Sequence, residues 1–397
     1  MRKLHTYEDV KKLIGSHYMQ AKTAHFFDQK VAWVSSGAPV ELLRPFNVMT
    51  VYPENHASVC GAAKQGASLC EAAEAEGYCR DICSYFRCDR GSTLLGKSPV
   101  GGLPHPDFLF GCNNICGTIM KWYEIASRHF EVPFLFVDTP FVHSQLLDHA
   151  VEYVKEQLES MIPVLESLTG HEFDESQFEK TLQLSKKCVS LWKDILRYGI
   201  HSPSPLTCFD AFTQMAPIVS LRGTEQAISH YTTLKSELEE RIEKGIAAVE
   251  DEKIRLLWDN IPLWYAMRDL SELFAAHGAC LVADTYTNAW ATATIDVHNP
   301  MESLARNYIE IYLNISTDLM YERIKPLIKA FHVDGMVMHS NRSCKPYSLG
   351  QYDLARLIRE DMGIPVVIIE ADMVDSRMYA QAQTHTRLEA FLESLGG

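Results

Sequence analysis

The sequence predicts an α/β protein made of two parallel-sheet lobes with a helical insert between them. Short apolar runs alternate with helix-like stretches in residues 1–144, and the same alternation returns in residues 251–397. Residues 145–250 differ, because they hold amphipathic, charged stretches with almost no strand-like runs. Alternating strands and helices are typical of a parallel sheet that helices cover. We therefore predict an N-terminal α/β lobe, a helical insert or arm, and a C-terminal α/β lobe with these boundaries.

In the first lobe, four apolar runs predict short buried strands. These runs are VAWVSS (31–36), NVMTVYP (47–53), DFLFGCNN (107–114) and VPFLFVDTP (132–140). The segment between the first two strands has helical spacing. Residues 56–77 are rich in Ala and Glu and end in Gly, which predicts one helix, and a further helix is predicted over residues 117–130.

The second lobe repeats the pattern. Strands are predicted within residues 253–260, 279–286, 332–341 and 365–373. Helices are predicted within residues 264–278, 349–363 and 379–395. The chain has no Walker A sequence and no G-x-G-x-x-G after a strand, so it carries no standard nucleotide-binding fingerprint.

Composition excludes several classes of function. With 47% hydrophobic and 22% charged residues, the 397-residue chain resembles an ordinary soluble globular protein. Its formal charge of −14 disfavours nucleic-acid binding, which needs a basic surface. The N-terminal residues are charged and lack the apolar core of a secretory signal, and no apolar run is long enough for a transmembrane helix. We therefore expect a cytoplasmic protein that binds neither nucleic acid nor membrane.

The chain contains eleven cysteines, five of which lie within residues 79–116. An odd number of cysteines in a long chain does not fit a small disulfide scaffold. Clustering of this kind in a reducing compartment favours metal or redox chemistry. Free cysteines are also common in hydrophobic cores, so clustering alone leaves both interpretations open.

Two cysteines directly follow predicted strands and precede predicted helices, namely Cys116 in the first lobe and Cys344 in the second. Ligands of parallel sheets bind beyond the carboxyl ends of the strands, where helix N-termini favour anions such as thiolate-bound iron–sulfur clusters. Cys83 lies in the break after the 56–77 helix and is a third candidate. Three thiolates bind three irons of a cubane and leave the fourth open to substrate. The spacing is not a ferredoxin motif, so core cysteines remain the alternative.

The residues around these cysteines resemble the 2-hydroxyacyl-CoA dehydratase / benzoyl-CoA reductase family, and are closest to the alpha subunit of an (R)-2-hydroxyacyl-CoA dehydratase. The motifs that carry the resemblance are YPENHA (52–57), DICSY (81–85), NNICGTIMKWYE (113–124), NRSCKPYSLGQYD (341–353) and IIEADMVDSR (368–377). The resemblance implies two flavodoxin- or Rossmann-like lobes with a [4Fe–4S] cluster in the cleft between them. Cys83, Cys116 and Cys344 become its ligands, and one iron stays open to water or substrate.

The resemblance also implies an activity and partners. The partners are a homologous second catalytic subunit, forming a heterodimer, and a separate ATP-hydrolysing iron–sulfur activator that supplies one electron. An acyl-CoA substrate is then reduced to a ketyl radical and expels its 2-hydroxyl group, and loss of a 3-proton and return of the electron give the 2-enoyl-CoA. Glu54 is the candidate for handling the proton and hydroxyl, since partial burial raises a carboxyl pKa. Ser36 is the candidate for a hydrogen bond to the substrate.

Other interpretations stay open from the sequence. Glu54 could instead cap a helix, and Ser36 could be a plain loop hydroxyl. The resemblance leaves Cys79, Cys88 and Cys112 outside the ligand set, as packing residues or bystanders. Two other functions remain, namely a subunit of an ATP-dependent benzoyl-CoA-type aromatic reductase and a non-catalytic, cluster-bearing scaffold. Zinc is disfavoured, because structural zinc prefers four closely spaced ligands.

Overall fold

The computed structural model describes residues 2–396 and contains two separate four-stranded parallel sheets. The strands of the first sheet are β1 (Val31–Val34), β2 (Met49–Val51), β3 (Phe108–Cys112) and β4 (Phe134–Val137). The strands of the second sheet are β5 (Ile254–Asp259), β6 (Ala279–Asp284), β7 (Gly335–Asn341) and β8 (Val366–Ala371). The predicted fold class, two parallel-sheet lobes with many helices, is confirmed.

Helices cover both sheets and fill the region between them. Those of the first lobe are α1 (Thr6–Thr23), α2 (Pro53–Ala62), α3 (Gly66–Ala75), α4 (Ser84–Leu95) and α5 (Thr118–Phe130). The middle region contains α6 (Asp148–Thr169), α7 (Glu175–Arg197), α8 (Cys208–Gln214), α9 (Ala216–Ser220) and α10 (Glu225–Glu243). The second lobe contains α11 (Met267–Ala276), α12 (Thr285–Asn288), α13 (Pro300–Ile309), α14 (Thr317–Ala330), α15 (Lys345–Ser348), α16 (Gln351–Met362) and α17 (Gln381–Gly396).

Most strands are largely apolar runs because helices cover both of their faces. Every residue of β1, β2, β3, β5 and β6 is buried, whereas most of β4, at one edge of the first sheet, is only half-buried. The pairing is in register along the sheets, with Ala32 opposite Phe108 and Trp258 opposite Val337. Burial on both faces explains why hydrophobic runs alone located the strands.

Both sheets have the same strand order. The first runs β2-β1-β3-β4 and the second runs β6-β5-β7-β8. This order is that of the first four strands of a flavodoxin-like sheet, in which the direction of winding reverses between the first and third strands. The reversal falls between β1 and β3 in one lobe and between β5 and β7 in the other. Each lobe therefore has one crevice at the carboxyl ends of these strands.

The middle helices pack on both lobes and on one another. α6 lies against α13 of the second lobe, and α7 lies against α10 and against the short helical turns that follow β1. α10 in turn contacts α1 at the start of the chain. The region is helical, as expected, and its separation at residues 145 and 250 stays a prediction.

Two local expectations differ from the structure. The single helix predicted over residues 56–77 is two helices, α2 and α3, with Lys64 in the left-handed conformation between them at φ 58°. Gly66 begins α3 where a Cβ would lie 2.3 Å from a side-chain carbon of Val374, so this close approach requires a residue without a side chain. The segment between β1 and β2 forms two short 3₁₀ turns instead of a longer helix.

The lobes are joined by backbone as well as side chains. Val142, after β4, forms an isolated parallel bridge with Ile315 of the second lobe. The Asn114 amide, two residues before Cys116, donates to the carbonyl oxygens of Gly37 at 2.8 Å and Tyr308 at 2.7 Å. These contacts hold the loop after β3 against the second lobe. Within residues 2–396, no helix is long and apolar enough to cross a membrane.

Candidate active site

The two crevices open into one cavity of about 140 Å³. Ser36 follows β1 and Cys116 follows β3, while Ile261 follows β5 and Cys344 follows β7, and all four residues line the cavity. Ligands of doubly wound sheets bind beyond the strand ends where the winding reverses. The cavity therefore lies where both lobes present the edge that suits ligand binding.

The three candidate cluster ligands meet in this cavity. Cys83, Cys116 and Cys344 all line it, although they come from two lobes. Each thiol stands at the beginning of a helix, since Cys83 directly precedes α4, Cys344 directly precedes α15, and Cys116 lies two residues before α5. Each sulfur also faces backbone N–H groups of the helical turn that follows it. Such N–H groups stabilise thiolates and tune cluster potentials.

The thiols need a positive partner to ionise together. Burial raises the pKa of Cys83 to about 12, and the neighbouring Cys116 sulfur contributes to that increase. Burial also raises the pKa of Cys344 well above its ordinary value, and Cys83 and Cys116 both add to that increase. No Lys or Arg lines this cavity in the described residues. Iron coordinated by the three sulfurs would supply the missing positive charge, because metal binding deprotonates thiols.

Three cysteines from two lobes line the same cavity. Across residues 2–396, no three His, Cys, Asp or Glu side chains converge closely enough to hold one metal ion. In a cubane, each thiolate binds a different iron corner, so the ligands need not converge on one point. Three thiols around one cavity are therefore the kind of donor set that a cubane with three protein ligands would use.

A buried polar chain connects the segments that carry Cys83 and Cys344. The Ser343 hydroxyl accepts the backbone N–H of Ser84 at 3.1 Å and donates to a carboxylate oxygen of Asp372. The other oxygen of Asp372 accepts two backbone N–H groups at 2.9 Å each, just after β8. We call Ser84, Ser343 and Asp372 the lobe staple. It fixes the distance between two cysteines that are far apart in the chain.

Removing the hydroxyl of the lobe staple should loosen this junction. In Ser343→Ala, the N–H of Ser84 and one oxygen of Asp372 are left buried without their partner. We expect the free energy of unfolding to fall by about 1–3 kcal/mol, and bound iron to be lost faster to a chelator. Urea denaturation and iron release measure the two effects.

Ser185→Ala is the matched control for this variant. Ser185 is also fully buried, but its hydroxyl has no hydrogen-bond partner among the described residues. Its removal is expected to leave stability unchanged or raised, because an unpaired buried hydroxyl is unfavourable. Equal behaviour of the two alanine variants would contradict the role of the staple.

The same region contains a buried ion network. The Arg87 guanidinium on α4 donates to Glu74 on α3 and to Asp375 after β8, at 2.9 Å for the second. Arg377 binds the same two carboxylates at 2.6 and 2.7 Å. The motif at residues 368–377 thus attaches the second lobe to the helices on either side of Cys83.

Glu54 lies in the first turn of α2, directly after β2, and its carboxyl group lines the cavity with only 6% of the residue exposed. One carboxylate oxygen accepts the backbone N–H of Ser36 at 3.0 Å, and the other accepts the Tyr123 hydroxyl at 3.4 Å. Burial raises its pKa to about 7, and nearby Asp89 contributes, while the two hydrogen bonds lower it in part. Both protonation states are therefore populated near neutral pH, as acid/base chemistry requires.

Ser36 presents a free hydroxyl. Its side chain lines the cavity, and its oxygen is inaccessible to solvent and has no hydrogen-bond partner among the described residues. Buried hydroxyls are usually paired, so an unpaired one in a cavity wall points to a ligand group. The neighbouring Glu54 carboxyl is held by the backbone of this same residue.

The other cysteines within residues 79–116 lie outside the cavity. Cys112 and Cys88 are fully buried, Cys79 is exposed, and none of the three lines the cavity. His56 is buried beside Cys60, with 3.8 Å between its Nε2 atom and the sulfur, and it does not line the cavity either.

Sequence reasoning missed Tyr123 and the lobe staple. Tyr123 lies on the buried face of α5 with Ile119 and Trp122, at the helical spacing that follows Cys116. This spacing is present in the sequence, but it predicts a core residue as readily as a residue that contacts Glu54. The staple joins residues 259 positions apart, and no local pattern indicates such a contact.

Comparison with known proteins matches this architecture to one family. The family model described as "2-hydroxyglutaryl-CoA dehydratase, D-component" matches residues 35–395. The chain is 34% identical to the (R)-2-hydroxyisocaproyl-CoA dehydratase alpha subunit of Clostridioides difficile, covering 97% of this chain and 94% of that protein. It is 32% identical to the (R)-phenyllactyl-CoA dehydratase alpha subunit of Clostridium sporogenes, covering 97% of each. It is 28% identical to one of the subunits of the benzoyl-CoA reductase of Thauera aromatica, covering 96% and 93%.

An α/β chain with two parallel sheets and a shared thiol- and carboxyl-lined cavity is thus related over nearly its whole length to acyl-CoA dehydratase subunits. The chain belongs to the 2-hydroxyglutaryl-CoA dehydratase D-component family. The family predicted from the motifs is confirmed, and so is its assignment to an enzyme class whose named members include dehydratases, which are lyases.

Proposed function

We propose that this chain is the iron–sulfur catalytic subunit of an (R)-2-hydroxyacyl-CoA dehydratase. It would eliminate water from the substrate to give a 2-enoyl-CoA, through a ketyl radical formed after ATP-driven one-electron activation. Cys83, Cys116 and Cys344 hold the cluster in this proposal, and Glu54 and Ser36 act on the substrate.

One observation carries the proposal. Three half-buried cysteines from two lobes, a carboxyl group with a pKa of about 7 and an unpaired hydroxyl line a single cavity. The thiols suit iron, the carboxyl suits proton transfer, and the hydroxyl suits recognition of a carbonyl or hydroxyl group. The relatives named as alpha subunits of 2-hydroxyacyl-CoA dehydratases support the same reaction.

The chain's own residues have distinct roles in this reaction. When bound, a [4Fe–4S] cluster with three protein ligands supplies an open Lewis-acid position and one-electron chemistry. The protonated Glu54 carboxyl donates a proton to the leaving hydroxyl group, which lowers the barrier to its departure. Ser36 orients the substrate through its free hydroxyl. The apolar walls exclude water, which strengthens both interactions.

The proposal includes partners. Relatives named as subunits support a partner subunit, and in this proposal that partner is a homologous chain that forms a heterodimer with this one. The electron would come from an ATP-hydrolysing iron–sulfur activator, and the complex would act in the cytoplasm. The substrate is an acyl-CoA.

Counting electrons tests the reaction. The chain is reconstituted anaerobically with iron and sulfide, combined with its second subunit, the activator and ATP, and given limiting reductant with a 2-hydroxyacyl-CoA. We expect the 2-enoyl-CoA formed to exceed the electrons supplied by far, because the electron returns after each turnover. Product that only equals or falls below the electrons supplied would overturn the proposed dehydration.

An aromatic acyl-CoA reductase is the second candidate. The 28% identity to a benzoyl-CoA reductase chain favours it, as do the aromatic residues of the cavity. In that reaction the ring consumes the electrons and no hydroxyl group leaves. The same electron count with benzoyl-CoA as substrate separates the two, since reductant use would then rise in proportion to product. A scaffold without catalytic function would form no product with either substrate.

A further inference from the structure

The walls of the cavity are mostly apolar apart from the reacting groups. Tyr286, Trp290, Tyr312, Leu313, Ile311 and Val219 are among the side chains that enclose it. No Lys, Arg or His side chain lines it in the described residues, and Glu54 is its single carboxyl group. The matched relatives act by name on both apolar and carboxylate-bearing acyl groups, so family membership does not decide which kind fits here.

A second carboxylate would have no compensating charge in this cavity. Two arginines, Arg222 and Arg323, border an adjoining cavity that shares Ala289, Trp290 and Ile311 with this one. There the Arg222 guanidinium is already bound to Glu41 at 2.7 Å. Arg323 borders that adjoining cavity only, and it donates to the carbonyl oxygen of Glu310 at 2.9 Å.

Burial without a partner is costly for a carboxylate. A carboxylate that enters an apolar cavity loses its water, and without a paired cation that loss is not recovered. An apolar side chain avoids this cost, and it gains by covering aromatic and aliphatic surface.

We propose that this cavity accepts acyl groups with an uncharged, apolar side chain and rejects those with a terminal carboxylate. The inference rests on the proposed function, because it assumes that an acyl-CoA occupies the cavity. It goes further by assigning specificity to the walls of this chain.

Binding without turnover tests the inference. The reconstituted complex of this chain with its second subunit, without ATP or reductant, is titrated with (R)-2-hydroxyisocaproyl-CoA, (R)-2-hydroxyglutaryl-CoA and CoA alone in a calorimeter. The first two ligands share the hydroxyl and CoA groups and differ mainly in the side-chain charge. We expect the apolar ligand to bind about 100-fold more tightly than the carboxylate ligand, as the burial of an unpaired charge requires.

The outcomes separate the inference from the function on which it rests. A preference below about tenfold would overturn the inference while leaving the proposed function intact, because a tenfold ratio is less than one buried unpaired charge should cost. If neither acyl-CoA binds more tightly than CoA alone, the proposed function itself fails.

A substitution in the wall gives a second measurement. Leu313 is half-buried and borders both this cavity and a neighbouring one, so a longer charged side chain can stay partly hydrated there. Leu313→Arg should lower the preference for the apolar ligand about tenfold relative to the uncharged control Leu313→Met. An unchanged preference in folded Leu313→Arg protein, checked by circular dichroism and iron content, would place the acyl group outside this cavity and overturn the inference.

Discussion

Cys83→Ser, Cys116→Ser and Cys344→Ser chains, reconstituted anaerobically, are each expected to hold much less iron and sulfide than the wild-type chain. Serine keeps the size of the side chain but replaces the soft thiolate with a poor ligand for iron. Loss of one of three protein ligands leaves a second iron without a sulfur from the chain. Mutation of residues that only hydrogen-bond to a metal ligand already lowers affinity or activity by about 10–100-fold. We therefore expect the loss of a ligand itself to lower activity by at least about 100-fold.

The control for this prediction comes from the chain itself. Cys112 lies four residues before Cys116 and is fully buried, but it does not line the cavity. Cys112→Ser is therefore expected to keep its iron, with at most a moderate loss of stability. Iron and sulfide analysis and the visible spectrum measure the cluster in all four variants. If Cys112→Ser lost iron as fully as Cys116→Ser, or if Cys83→Ser kept it, the assigned ligand set would be wrong.

The fold could be predicted because its strands are buried on both faces. A strand that is covered on both faces, such as β3, is apolar throughout and does not alternate with polar residues. Its apolar run is therefore enough to predict it. The same reasoning placed Cys116 and Cys344 at strand ends, where parallel sheets bind ligands. It could not predict the strand order, which is what makes Ser36 a neighbour of Cys116 across the β1/β3 crevice.

The parts of the site that the sequence did not reveal depend on contacts between distant segments. Glu54 follows β2 and lies in the first turn of α2, where the Tyr123 hydroxyl reaches it from α5. Its raised pKa follows mainly from burial in the folded chain, which no local sequence pattern encodes. The junction of Ser84 with Ser343 is of the same kind, since it forms only when the lobes are packed together.

The two sheets share a strand order, and the asymmetry of the site comes from the residues that follow their strands. Each lobe contributes a cysteine after the third strand of its sheet, namely Cys116 after β3 and Cys344 after β7. After the first strand they differ, because the first lobe presents Ser36 and the second presents Ile261. Polar recognition is therefore supplied by the first lobe at this position, and an apolar wall by the second.

The groups around Glu54 determine how it should titrate. Asp89 raises its pKa by repulsion, and the Tyr123 hydroxyl lowers it by donating a hydrogen bond. Glu54 in turn raises the pKa values of Cys116 and Tyr286, which shows that both are near enough to sense its charge. Since burial is the largest cause, Glu54 is mostly protonated below about pH 7 and mostly ionised above it.

Glu54→Gln is expected to lower kcat by about 10²–10⁴-fold, which is the usual value of a positioned general acid. The amide keeps the size of the carboxyl group, so iron content and substrate binding should change little. In the wild-type complex, kcat should fall as the pH rises through about 7, because the protonated carboxyl donates the proton. This decrease of kcat with rising pH should be absent from the residual activity of Glu54→Gln.

In Tyr123→Phe the decrease should occur at higher pH, because the hydrogen bond that lowers the Glu54 pKa is removed. If kcat of Glu54→Gln still decreased in the same way with rising pH, the ionising group would be a different residue and Glu54 would have no part in the mechanism.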